Sequence, residues 1–279
     1  MRTSDAARLT ALAAIWGASF LFVRITAPVI GPVATADLRM LIGGVALAAW
    51  FAAIGFDPQW RRWWRYYLLI GALTSALPFL LWAIAALELT AGMLVVLNAT
   101  SPMWGALLSA LIVGERLSPA GIAGLALGVG GVALLAGPEG AASLRSIAAA
   151  LGAAFCYGLS AAVMRRWSRD APSRGMAVGT QIAGGVLLAP LLALSPPAMP
   201  GPGIVAALLA LGLVCGAAAY LLYFRLIADI GAAGALTVTY LIPVFGILWG
   251  ALFLGEPLEP VMLGGAALVI AGTVLVLRG

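Results

Sequence analysis

Gly114-Glu115-Arg116-Leu117-Ser118-Pro119 returns near the C-terminus as Gly255-Glu256-Pro257-Leu258-Glu259-Pro260. Position 255 less position 114 gives 141, and almost the whole chain repeats at that offset without a gap. Trp16-Gly17 recurs as Tyr157-Gly158, Ser19 as Ser160, Arg24 as Arg165, Gly43-Gly44 as Gly184-Gly185 and Pro102 as Pro243. Each copy is mostly apolar and carries five hydrophobic segments. In a membrane, an odd number of spans turns the second copy upside down, which is a design of secondary transporters. The expected fold is an all-α integral membrane protein. Its ten transmembrane helices form two inverted five-helix repeats, residues 1–138 and 139–279, around a central cavity.

Composition agrees with lipid as the outer solvent. Hydrophobic residues make up 63% of the chain, charged residues 9%, and the mean hydropathy is +1.11. A soluble chain of 279 residues needs far more charge to cover its surface. The net charge of +5 raises nucleic acid as a partner, but the arginines are scattered over short loops and make no basic stripe. No nucleic acid is expected. Cys156 and Cys215 fall inside spans without metal-ligand spacing and read as small buried hydrophobes. The stretch Leu9 to Ala27 has the look of a signal peptide, yet its copy around residue 158 argues that it is retained.

A bilayer core takes roughly 20 apolar residues per helix. The expected spans are 8–27, 34–54, 66–87, 92–113, 119–137, 146–165, 175–194, 203–227, 232–254 and 260–278. Turn chemistry separates them at Pro28 to Pro32, Asp57-Pro58, Ser118-Pro119, Gly137-Pro138 and Ser195 to Gly203. With the N-terminus inside, Arg2, Arg8, Arg61, Arg62, Arg65, Arg116, Arg165, Arg166, Arg169, Arg174, Arg225 and Arg278 collect on the cytoplasmic side. Only Arg24, Arg39 and Arg145 fall outside. That 12-to-3 asymmetry follows the positive-inside rule and predicts two cytoplasmic termini in a bacterial inner membrane.

Inverted repeats put shared features near the midplane, where a substrate is held. Paired polar or aromatic residues in mid-span are therefore the candidate site. In spans four and nine, Pro102 and Pro243 lie inside their helices and free the carbonyls of Asn98 and Thr239. Asn98, Thr100 and Ser101, with Thr237, Thr239 and Tyr240 opposite, form polar patches that suit ligand contact or a kink satisfied by a neighbouring helix. In spans three and eight, Phe79 and Trp82 share a face, as do Tyr220 and Tyr223, and read as gates, a stacking surface or packing. Pro78 is a further helix-breaking residue in span three. In spans one and six, Trp16 and Tyr157 fall near mid-span, with Ser19 and Ser160 one turn along. Arg24 is expected to pair with Asp37 or Glu88, with attraction of an anionic substrate group as the alternative, and Arg39 to join that outer cluster. Trp60, Trp63, Trp64, Tyr66 and Tyr67 read as an interfacial belt. Gly121, Gly124, Gly128, Gly131, Gly264, Gly265 and Gly272 read as packing of spans five and ten.

No Asp, Glu or His is expected at mid-span, which weakens proton antiport. The sequence shows no phosphate-binding loop, zinc motif or nucleophile–base constellation, so neither an enzyme nor a cofactor or metal is expected. A membrane enzyme or assembly scaffold would need interfacial carboxylates or histidines that are not evident.

Two five-span copies, the Trp16-Gly17-x-Ser19-Phe20 start of span one and the Gly-Glu-x-Leu-x-Pro ends of spans four and nine resemble the drug/metabolite transporter superfamily, EamA type, over nearly the whole chain. The resemblance implies cytoplasmic termini and a cavity lined by spans 1, 3, 4, 6, 8 and 9. It is strongest in character to bacterial amino-acid exporters, aromatic ones among them. The superfamily's four-span members use an essential Glu in their first helix. This chain has Trp16, Gly17 and Ser19 there, so their proton–drug exchange is not carried over. The functional expectation is a secondary transporter that exports, or facilitates diffusion of, small amphipathic metabolites, amino acids foremost. A multidrug or nucleobase exporter on the same fold is the alternative. The partners expected are a small-molecule substrate and the lipid bilayer; a monomer suffices, and a homodimer through the glycine-rich helices stays open.

Overall fold

Lipid offers no hydrogen bonds, so an apolar run must satisfy its backbone internally, and the helix does so within one segment. The computed structural model follows this rule throughout; it describes residues 2–137, 143–167 and 171–278. The expected repeat boundary at 138/139, with Pro138, and Arg169 of the charge asymmetry lie outside the described residues.

Ten apolar helices follow in order: α1 (Thr3–Ile30), α2 (Pro32–Ala53), α3 (Trp60–Ala85), α4 (Ala91–Val113), α5 (Pro119–Leu135), α6 (Leu144–Arg166), α7 (Ser173–Leu194), α8 (Pro202–Gly231), α9 (Gly234–Leu254) and α10 (Pro260–Leu277). Among the described residues, nine have the length and composition to cross a membrane. α5 has 17 residues, roughly 26 Å at the helical rise, a little short of the bilayer core. The expected spans are all present, with shifted ends. α1 runs through Pro28 to Ile30, and only Gly31 at φ 83° separates it from α2. α3 starts at Trp60, so the aromatic belt sits on the helix itself. Trp64 is half exposed as expected, but Tyr67 is 1% exposed, donates to the Pro58 carbonyl at 2.6 Å and packs over Gly179. Tyr67 is therefore core rather than belt.

Small residues set how closely the helices approach. A Cβ on Gly124 would lie 2.5 Å from the Gly272 carbonyl, and one on Gly131 would lie 2.8 Å from the Gly265 carbonyl. The 141-residue offset exchanges these two α5–α10 contacts. It likewise exchanges Gly17 against Gly246, between α1 and α9, with Gly158 against Gly105, between α6 and α4. α3 and α8 also share a local irregularity: Ala72–Ala76 is π-helical in one, and Ala210–Ala218, spanning the matched positions, in the other. A π-helical turn inserts a residue and rotates the remainder of its helix, here the segments that carry Phe79, Trp82, Tyr220 and Tyr223.

Candidate functional site

α4 is interrupted at Ala99 and Thr100, between Ala91–Asn98 and Ser101–Val113. Pro102 is therefore the second residue of a new helical segment, a favoured position for proline, rather than an interior kink. In α9 the break comes earlier, at Thr237, and Pro243 does sit inside Val238–Leu254. The Asn98 carbonyl expected to be free is occupied: the Ser101 hydroxyl donates to it at 2.7 Å. The other hydroxyls do the same. Ser19 donates to the Trp16 carbonyl at 2.6 Å, Ser160 to that of Tyr157 at 2.8 Å, and Thr239 to that of Leu236 at 2.8 Å. Their protons are spent on their own helices, but each oxygen can still accept a hydrogen bond. Asn98 differs: its half-buried amide makes no hydrogen bond among the described residues.

The aromatic candidates converge. Trp16 lies 5.3 Å from Tyr223 and 6.3 Å from Tyr220, between ring centroids. Trp82 meets Phe20 edge to face at 5.4 Å, and its buried indole N–H has no hydrogen-bond partner among the described residues. Trp16, Tyr157, Tyr220 and Tyr223 are only half-buried although they belong to the helix interior. Trp16, Tyr157 and Tyr223 pack against the core cluster that holds Phe20, Phe79 and Trp82, so α1, α3, α6 and α8 meet there. Tyr240 is half-buried but shares no ring contact with this cluster.

Arg39 departs from the sequence expectation. It stands two helical turns into α2, where an outer ion cluster is expected. Its guanidinium instead lies over the Phe79 ring at 3.9 Å. It is 8% exposed. Asp37 cannot pair with it, because two residues along a helix are about 200° apart. Asp37, five residues into α2, is itself fully buried, with neither carboxylate oxygen bonded among the described residues. Arg24 pairs with neither Asp37 nor Glu88; it donates to the Ala86 carbonyl at 3.0 Å. The signal available in the sequence was an Arg inside an apolar span, which marks a functional position by default.

A cavity of about 460 Å³ reaches inward from the end of the bundle that carries the termini. Glu115, Arg116 and Arg165 line its rim, and Ser101, Pro102, Tyr157 and Thr239 line its deeper part. Tyr157 thus joins the cavity to the aromatic cluster. Gly121 of α5 and Val276 of α10 also line it, so these two helices contribute to the wall as well as to packing. Arg165 pairs with Glu115 at 2.6 Å on the rim.

The opposite end is tied by carboxylates. Glu256 accepts from the backbone N–H of Ala91 at 2.9 Å and of Gly92 at 3.4 Å, holding the start of α4 to the loop after α9. Glu88 accepts from the Ser143 and Ser146 hydroxyls at the start of α6. Those bonds hold its carboxyl below the usual carboxylate range.

Comparisons with known proteins agree with this architecture. The model of the EamA-like transporter family matches residues 8–137 and again residues 144–278. The uncharacterised transporter YvbV of Bacillus subtilis is 27% identical over 99% of this chain and 92% of its own. A probable terminal-alkyne amino-acid exporter of Streptantibioticus cattleyicolor is 28% identical over 94% of this chain and 90% of its own. A solved crystal structure superposes with a TM-score of 0.67 at 21% identity, over 99% of this chain and 96% of that one, which speaks to the fold alone. Two matches of the family model, together covering almost the whole chain, show that this protein belongs to the EamA-like transporter family.

Proposed function

We propose that the chain is a secondary transporter of the bacterial inner membrane that moves small amphipathic metabolites outward, amino acids foremost. The observation that carries the reading is a 460 Å³ cavity whose lining Tyr157 also packs against the core that holds Phe20, Phe79 and Trp82. That volume falls in the range of small-molecule sites, roughly 300–1,000 Å³. Half-buried rings of Trp16, Tyr220 and Tyr223 offer an apolar surface for a side chain. The Asn98 amide and the accepting lone pairs of Ser101 and Thr239 suit a polar head. An amino-acid exporter among the relatives favours the same substrate class.

In this reading the halves 1–138 and 139–279 rock against each other, with the arginine-rich end and both termini in the cytoplasm. The cavity then faces the cytoplasm, and the Glu256 and Glu88 contacts seal the outer end. Export starts from this state.

The test is counterflow in proteoliposomes preloaded with unlabelled amino acids and given labelled ones without any ion gradient. Uptake of a subset, strongest for the larger apolar and aromatic members, is expected. Asn98→Ala should lower the rate about three- to tenfold, as loss of one hydrogen bond of roughly 0.5–1.5 kcal/mol implies. Leu111→Ala on the exposed face should not. Silence toward every amino acid, with uptake of hydrophobic cations or nucleobases, would sink the amino-acid assignment.

A further inference from the structure

We propose that Arg39 is the anion-binding residue of this transporter, and that its substrates carry a carboxylate on an aromatic or large apolar tail. The proposal rests on the transporter reading above and narrows it.

Arg39 is more than nine-tenths buried, yet among the described residues no carboxylate lies within ion-pair distance and no hydrogen bond satisfies its guanidinium. Arginine does not escape this cost by losing its proton, so a buried guanidinium normally has a partner. Against it lies the Phe79 ring, at 3.9 Å from the guanidinium carbon to the centroid. The ring shields the charge without neutralising it. With its carbon over the Phe79 ring, the guanidinium keeps its N–H donors for a planar acceptor such as a carboxylate. Tyr157 lines the cavity and packs against the core cluster that contains Phe79, so it links the cavity wall to the core that holds the ring partner of Arg39. Phe79 supplies apolar ring surface beside the charge, and Phe20 and Trp82 belong to the same core cluster. A positive charge at this depth repels cationic amphiphiles, so the same residue selects against amines and hydrophobic cations.

The experiment uses three probes with a shared phenyl tail: L-phenylalanine, 3-phenylpropanoate and phenethylamine. Binding to the detergent-purified full chain is read by calorimetric titration and thermal shift, alongside competition against labelled L-phenylalanine counterflow. Both carboxylates are expected to bind at least tenfold more tightly than the amine. Arg39→Gln should erase that difference, and Arg39→Lys should keep the preference at reduced affinity. Equal binding of the amine by the unaltered protein overturns the proposal without need of any variant. So does an Arg39→Gln protein that melts normally and keeps the preference, or failure of all three probes to bind. Carboxylate-selective binding without any exchange would instead sink the transport reading and leave the Arg39 site standing.

Discussion

Glu256→Gln offers the sharpest handle on how the closed end is held. The carboxylate accepts one well-formed hydrogen bond from the Ala91 N–H at 2.9 Å and a longer one from Gly92 at 3.4 Å. These are orphan donors at the first turn of α4, where the helix dipole also favours negative charge. A charge-assisted bond contributes about 1.5–3 kcal/mol and its neutral equivalent about 0.5–1.5 kcal/mol. The amide therefore forfeits about 1–1.5 kcal/mol on the shorter bond, and roughly 0.3–1 kcal/mol more from the dipole. The longer bond adds little. A total near 2 kcal/mol corresponds to a shift of about thirtyfold in the ratio of closed to open forms, provided the contact exists only when this end is closed. The assay is the labelling rate of Ala86→Cys by an impermeant maleimide, with Cys156 and Cys215 replaced by Ala. Ala86 is fully buried beside the seal, so labelling reports opening. Glu256→Gln should accelerate labelling at least tenfold while the protein stays folded by size-exclusion and circular dichroism. An unchanged rate would mean that this contact does not hold the end shut.

Two further outcomes rest on packing and charge. Gly131→Ala should destabilise α5–α10 packing by about 1–3 kcal/mol, since its Cβ would press on the Gly265 carbonyl at 2.8 Å, whereas Gly130→Ala, with nothing nearby, should be neutral or stabilising; denaturation in mixed detergent compares them, and equal losses would refute the packing argument. For Glu88 the folded-state pKa is depressed by the serine hydrogen bonds, so its contribution is fully present above the unfolded value of about 4.3 and fades as pH falls through the folded one. The difference in melting temperature between the unaltered protein and Glu88→Gln should hold steady from pH 8 to pH 5 and shrink below about 4.3; a difference constant down to pH 3 would contradict it.

The packing of α5 on α10 was readable from Gly124, Gly131, Gly265 and Gly272, because a small residue on an apolar span has few other uses. The aromatic contacts were readable in part: Trp16 meets Tyr220 and Tyr223, and these three match Tyr157, Phe79 and Trp82 at the 141-residue offset. The free carbonyls were not, because Pro102 removes a backbone bond in a predictable way but the replacement donor, the Ser101 hydroxyl, depends on a rotamer. The same limit applied to Arg24 and Glu88, whose partners lie 62 and 55 positions away.

The amino-acid sequence by itself determined the membrane class, the ten spans and the self-similar halves. Hydropathy over about 20 residues and a repeat at fixed offset are one-dimensional properties, and lipid forces any such run into a helix whatever surrounds it. Only the tertiary structure decided that Arg39 turns inward onto Phe79 while Asp37, two residues earlier, is buried apart from it. Which way a helix presents a side chain depends on its rotation against its neighbours. That rotation is set by glycine contacts such as Gly43 on Gly212 and by the π-helical turns of α3 and α8, none of which leaves a period in the sequence.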